Sequence, residues 1–210
     1  MIENKNISRK DDFLDAVDGV LNSNTFLLRL STNEIPDDLN EFLEKIIKSR
    51  KFKELMLEQD IDRKWFIYSS FNLDTKVWEP NKKDCDFFKS EFKLAIESIS
   101  YKEFIDILVD MLTTEKSIYQ KQLPINKAEE IVFRFIREIY HTSDLKTEGN
   151  NNSFYRIKPD FLNQRTELDI DNELDELDSK FYYFDGTEFD SCTLFIVDNN
   201  IYMLLTNGMP

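Results

Sequence analysis

The chain has 210 residues and a mass of 25.1 kDa, with 27 Lys and Arg against 41 Asp and Glu, for a net charge of −14. Hydrophobic residues make up 41% and aromatics 13%, with 18 Phe among them, which is enough apolar mass for a packed core and excludes general disorder. Four Gly, five Pro and two Cys exclude collagen-like, low-complexity and disulfide-scaffold classes. The length suits one large domain or two small ones sharing an interface, here read as a single domain, 1–210.

The first segment, Ser8 to Asn22, sets Phe13, Val17, Val20 and Leu21 at helical spacing with a polar opposite face. Thr25 to Ser31 is short, apolar and bounded by Asn and Ser, which predicts a strand. Pro36 suits a first helical position, with Asp37 and Asp38 favouring the positive end of the dipole. Leu39, Phe42, Leu43, Ile46 and Ile47 form that helix's apolar stripe, and a shorter helix is expected over Phe52 to Leu57. Trp65 to Phe71 is β-rich, and Lys76 to Glu79 returns against it through a turn at Asn72 to Thr75.

Asp84 to Ser98 is predicted helical, with Phe88, Phe92, Ala95 and Ile99 on one face. Ser100 with Glu103 forms a capping box ahead of Phe104, Ile107, Leu108 and Met111. Asn126 with Glu129 makes a similar start for Ile131 to Tyr140. Thr147 to Ser153 is polar and low in complexity, the pattern of an exposed loop. Beyond it lie four β candidates: Phe154 to Ile157, Phe181 to Phe184, Cys192 to Val197 and Ile201 to Leu205. Asp198, Asn199 and Asn200 provide the turn of a tight hairpin between the last two. Runs of helices with strands at both ends, without β-α-β alternation, predict an α+β fold. A helical N-terminal and central part packs with an antiparallel sheet built largely from C-terminal strands. A subdivision into a mainly helical 1–145 and a mainly β 153–210 is compatible with this order.

The N-terminus, Met-Ile-Glu-Asn-Lys-Asn, has no apolar region of a signal peptide. Apolar stretches such as Thr193 to Val197 fall short of the roughly 20 residues a membrane span needs. A cytoplasmic, reduced protein is expected, with Cys85 and Cys192 outside any metal-ligand spacing. No phosphate-binding loop can be built from Gly19, Gly149, Gly186 and Gly208, which sets aside P-loop and dinucleotide-fingerprint enzymes. No cofactor and no metal are expected. The acidic run places Asp169, Asp171 and Glu173 as in a calcium loop, but Leu174 occupies the glycine position and Lys180 the bidentate glutamate position.

His141, the single histidine, would suit a general base or ligand, and it also suits a cation complementing the C-terminus of a helix. Cys192 enters an apolar strand in the most acidic region, so an inert buried thiol is expected there. Cys85, near Lys82 and Lys83, has a friendlier setting for a thiolate but no histidine nearby in sequence.

The charge is unevenly placed. From Asp160 to Pro210 there are 12 acidic and 2 basic residues, net −10, whereas residues 1–159 hold 29 and 25, net −4. The densest stretch, residues 167–178, contains Glu167, Asp169, Asp171, Glu173, Asp175, Glu176 and Asp178, followed by Tyr182 and Tyr183. A solvated helix or linker accounts for it, since Ile170, Leu174 and Leu177 fall at helical spacing. An anionic surface with tyrosines beside it is also the composition that recognises an Arg- or Lys-rich partner. The imbalance weighs against binding nucleic acid or an anionic membrane. The expected function is therefore that of an acidic, bacterial-type interaction protein, not an enzyme. It would bind and neutralise a basic protein partner, as an immunity protein does a nuclease-type toxin. The alternatives are a small-molecule-binding domain or enzyme with a site near His141, and a homo-oligomeric scaffold or homodimer pairing through C-terminal edge strands.

Overall fold

The structure is a computed structural model and describes residues 2–3, 12–31, 36–62, 69–80, 94–115, 117, 119–140, 152–158, 190–197 and 200–208. In chain order the elements are β1 (Ile2–Glu3), α1 (Asp12–Leu21), β2 (Ser23–Ser31), α2 (Leu39–Ile47), α3 (Arg50–Asp62), β3 (Ser69–Asn72) and β4 (Val77–Pro80). They continue with β5 (Ile96–Ile99), α4 (Tyr101–Thr113), α5 (Ile125–Tyr140), β6 (Ser153–Ile157), β7 (Ser191–Val197) and β8 (Asn200–Gly208). The α+β class and the mostly C-terminal antiparallel sheet agree with the sequence reading. The chain divides into two units, one of Met1–Ile35, Ala95–Lys158 and Thr187–Pro210, the other of Pro36–Leu94 and Pro159–Gly186.

The first unit is built on an antiparallel sheet of order β1-β2-β8-β7-β6-β5. Its middle strands are apolar on both faces. On one face Leu27, Phe154, Phe195, Val197, Tyr202 and Leu204 meet the stripes of α1, α4 and α5. On the other, Phe26, Leu28, Cys192, Leu194, Ile196, Ile201, Met203 and Leu205 are also buried. The uninterrupted burial of Cys192–Val197 reflects this, because a strand with one wet face would alternate. β7 and β8 are paired on both sides and lie in the interior of the sheet, and among the described residues its edges are β1 and β5. For β7 and β8 this corrects the expectation of exposed edge strands at the C-terminus; the third C-terminal candidate, Phe181–Phe184, lies outside the described residues.

The helices pack by their periodicity. Phe13 of α1 stacks on Phe135 of α5 with centroids 4.4 Å apart, and Arg134 pairs with both Asp12 and Glu130 above that contact. Phe104 of α4 lies against Phe154 and Phe195, at 4.8 and 5.0 Å. The capping box at Ser100 forms as expected: its N–H and hydroxyl donate to the Glu103 carboxylate at 2.7 Å, and the Glu103 N–H donates back to Ser100 Oγ at 3.2 Å. These donors hold the Glu103 carboxyl below the usual carboxylate range. Ser100→Ala should lower stability by about 1 kcal/mol at neutral pH. A group with a depressed folded pKa contributes above its unfolded pKa and loses that contribution as pH falls through the folded value. The gap between parent and variant in urea unfolding should therefore narrow below about pH 4.

Three local expectations are corrected. Ile96–Ile99, assigned to the end of a helix from Asp84, is strand β5, with Ile96 opposite Ile157 and Ile99 opposite Phe154. Its partner lies far along the chain, so local spacing does not register it; residues 84–93 of that helix lie outside the described residues. Helix α5 starts at Ile125, one residue before the expected Asn126 cap, because the Pro124 carbonyl accepts from Lys127 and Ala128 N–H at 2.9 and 3.0 Å. Helix α2 starts at Leu39, not at Pro36: Asp38 is the cap, its side chain accepting from Glu41 N–H at 2.9 Å.

In the second unit, Leu43 and Ile47 of α2 and Phe52 and Leu55 of α3 are buried. Ser49 joins the two helices, donating to Ile46 O at 2.6 Å and accepting from Phe52 N–H at 3.2 Å. β3 and β4 form the expected hairpin, with Phe71 opposite Trp78. Asn72 Oδ1 accepts from Asp74 and Thr75 N–H at 2.9 and 3.2 Å, which holds the turn and leaves Leu73 82% exposed at its tip. The remainder of the expected Trp65–Phe71 strand, residues 65–68, lies outside the described residues, as does the strand candidate Phe181–Phe184.

Candidate functional site

Strands β6 and β7 are antiparallel neighbours, with Ile157 opposite Cys192 and Phe154 opposite Phe195. Such neighbours need only two to five residues to connect them. β6 ends at Ile157 and β7 begins at Ser191, so 33 residues lie between them. That connection is where the charge sits. Of the 12 acidic residues from Asp160 to Pro210, 10 fall within 160–189, whereas β7 and β8 contain none. β7 and β8, which fill the middle of the sheet, are thus free of carboxylates, and the acidic residues fall in the sequence between β6 and β7.

The sequence-predicted contact residues Glu167, Asp169, Asp171, Glu173, Asp175, Glu176, Asp178, Tyr182 and Tyr183 all belong to this connection and lie outside the described residues. Cys85 and His141, which lie elsewhere in the chain, are also outside the described residues, the latter following directly on the last residue of α5.

Cys192 is the exception among the singled-out residues. It is a free thiol on β7, 1% exposed, opposite Ile157 on one side and Leu205 on the other. Burial pushes this thiol well above the ordinary cysteine range, as the expectation of an inert side chain requires. For an acid with a raised folded pKa, the stabilising contribution is complete below the unfolded thiol pKa and is lost as pH rises through the alkaline range. In peptide mapping by mass spectrometry, Cys192 should resist a thiol reagent at neutral pH in the native protein and react fully in urea. Labelling of Cys192 in the native state would contradict its burial.

Among the described residues, no group of three or more His, Cys, Asp or Glu side chains comes together to hold a metal ion, and no helix is long and apolar enough to cross a membrane. The remaining shifted carboxyl and ammonium groups belong to surface pairs. Glu130 is lowered chiefly by its bond to Lys127, and Lys102 is raised by Asp106. Tyr101 is raised by partial burial beside Phe154. The structure also assembles a polar row that sequence reading missed: Thr25, Thr206 and Ser191 stand opposite one another on β2, β8 and β7. Its only sequence signal is a hydroxyl residue at the end of each apolar strand, and nothing local says that the three meet.

No family model matches the chain, and no curated protein and no solved structure matches it either.

Proposed function

We propose that the chain is an acidic interaction protein that binds a basic protein partner through the β6–β7 connection and blocks it. The observation that carries this reading is the concentration of charge in a 33-residue connection between strands that a tight turn could join. A single-sign field of this kind speeds encounter with an oppositely charged surface and imposes register on the complex. The partner class that fits best is a protein whose own function requires a basic groove, such as a nuclease-type toxin. The carboxylates then occupy the place of substrate phosphates, in the manner of a bacterial-type immunity protein acting in the cytoplasm.

The test is a pairing experiment with the basic protein encoded beside this chain in its native genome. Association should be fast at low salt and slow by about tenfold or more between about 50 and 500 mM NaCl. The toxin's catalytic activity should be lost in the complex. A complex whose association rate is indifferent to salt, or which leaves the basic groove active, contradicts the proposal.

A further inference from the structure

The hydroxyl row across β2, β8 and β7 carries an inference of its own. Thr25 lies opposite Thr206, and Thr206 opposite Ser191, so the three side chains share one face of the sheet. Thr25 and Thr206 are both fully buried, and Ser191 is half-buried.

The first hydroxyl is accounted for. Ser23 Oγ donates to Asp18 Oδ1 at 3.1 Å and lies 3.1 Å from Thr25 Oγ1. A serine has one hydroxyl hydrogen, and here the carboxylate takes it. Thr25 is therefore the donor to Ser23, and the chain of donors runs Thr25 to Ser23 to Asp18. The other two hydroxyls are different. Thr206 Oγ1 and Ser191 Oγ are buried and have no hydrogen-bond partner among the described residues. An unsatisfied buried hydroxyl carries its full desolvation penalty, and valine would fill the same volume at position 206 without it. Two such groups facing each other on adjacent strands, in a polar row, are the setting in which an internal water makes its two to four hydrogen bonds.

We propose that Thr206 Oγ1 and Ser191 Oγ bind one internal water molecule, which bridges β8 and β7 at the end of the sheet where β7 begins. The water takes the hydroxyl hydrogens, or gives its own, so that neither oxygen is left bare. It adds a side-chain tie between the two most buried strands, at the place where the long acidic connection rejoins the sheet.

The experiment has two readouts on the full-length chain. A crystal structure at about 1.5 Å or better should show an ordered water within hydrogen-bond reach of both oxygens. Thr206→Val, which keeps shape and removes the hydroxyl, should lower the melting temperature by about 2–4 °C, the shift expected when one satisfied hydrogen bond is lost in a chain of this size. A direct Ser191–Thr206 hydrogen bond with no water between overturns the proposal. So does a Thr206→Val protein that melts at or above the parent, since that is the behaviour of a hydroxyl that was never satisfied.

Discussion

Replacing Phe104 with alanine should destabilise the protein by about 3–5 kcal/mol, the range for removing a fully buried aromatic ring and leaving the cavity behind. Phe104 is 1% exposed and sits where α4 crosses the sheet, its ring against Phe154 at 4.8 Å and Phe195 at 5.0 Å. Phe195 in turn stacks on Tyr202 at 5.1 Å, so one ring on a helix ties together β6, β7 and β8. Those neighbours belong to paired strands and cannot collapse into the space, which places the cost toward the upper end of the range. For domains with a total stability of about 5–15 kcal/mol, such a loss is a large part of the whole. Urea unfolding should show a lower midpoint with an unchanged slope. The control is Phe133→Ala, on the solvent side of α5 and 43% exposed, which should cost under about 0.5 kcal/mol. Equal losses at the two positions would contradict the burial of Phe104 on α4 or the exposure of Phe133 on α5.

The second large effect concerns association. A chain carrying Asp171→Asn, Glu173→Gln, Asp175→Asn and Glu176→Gln should associate with its basic partner about tenfold more slowly at low salt or worse, with a smaller change in dissociation. Adding salt should bring the two rates together, because screening removes from the parent what substitution removes from the variant. The melting temperature of the free chain should change little, since these positions lie outside the strands and helices whose packing is described. Stopped-flow or surface-binding kinetics reads the difference. Identical association rates for parent and variant across the salt series would remove the acidic connection from the mechanism.

Much of the architecture is legible locally. The stripe Phe13, Val17, Val20, Leu21 is the buried face of α1, and Ile131, Phe135, Ile139 is that of α5. The capping box at Ser100 and the strand Cys192 to Val197 are read directly, because caps and short apolar, β-branched segments leave short-range signatures. What escapes is set by distant partners. Ile96–Ile99 is a strand because β6 offers it hydrogen bonds, and Ala95 and Ile99 otherwise satisfy a helical period. The pairing of Ser23–Ser31 with Asn200–Gly208 has no trace in either segment alone. The candidate site divides in the same way. Composition locates the charge in the acidic run, whereas only the sheet order reveals that the run joins two neighbouring strands. The row of Thr25, Thr206 and Ser191 is invisible to any local reading for that same reason.

The position of β8 has a consequence for how the protein is made. Of the described elements it is translated after all the others, yet it lies between β2 and β7 in the interior of the sheet. β2, finished near the start of synthesis, waits with its long apolar edge open until residues 200–208 arrive. Closure at such sequence separation is slow and leaves unpaired strand edges exposed in the meantime. The nascent chain is thus most vulnerable to aggregation just before β8 emerges, and a ribosome that stops short of it releases a chain lacking the strand that joins the two halves of its sheet.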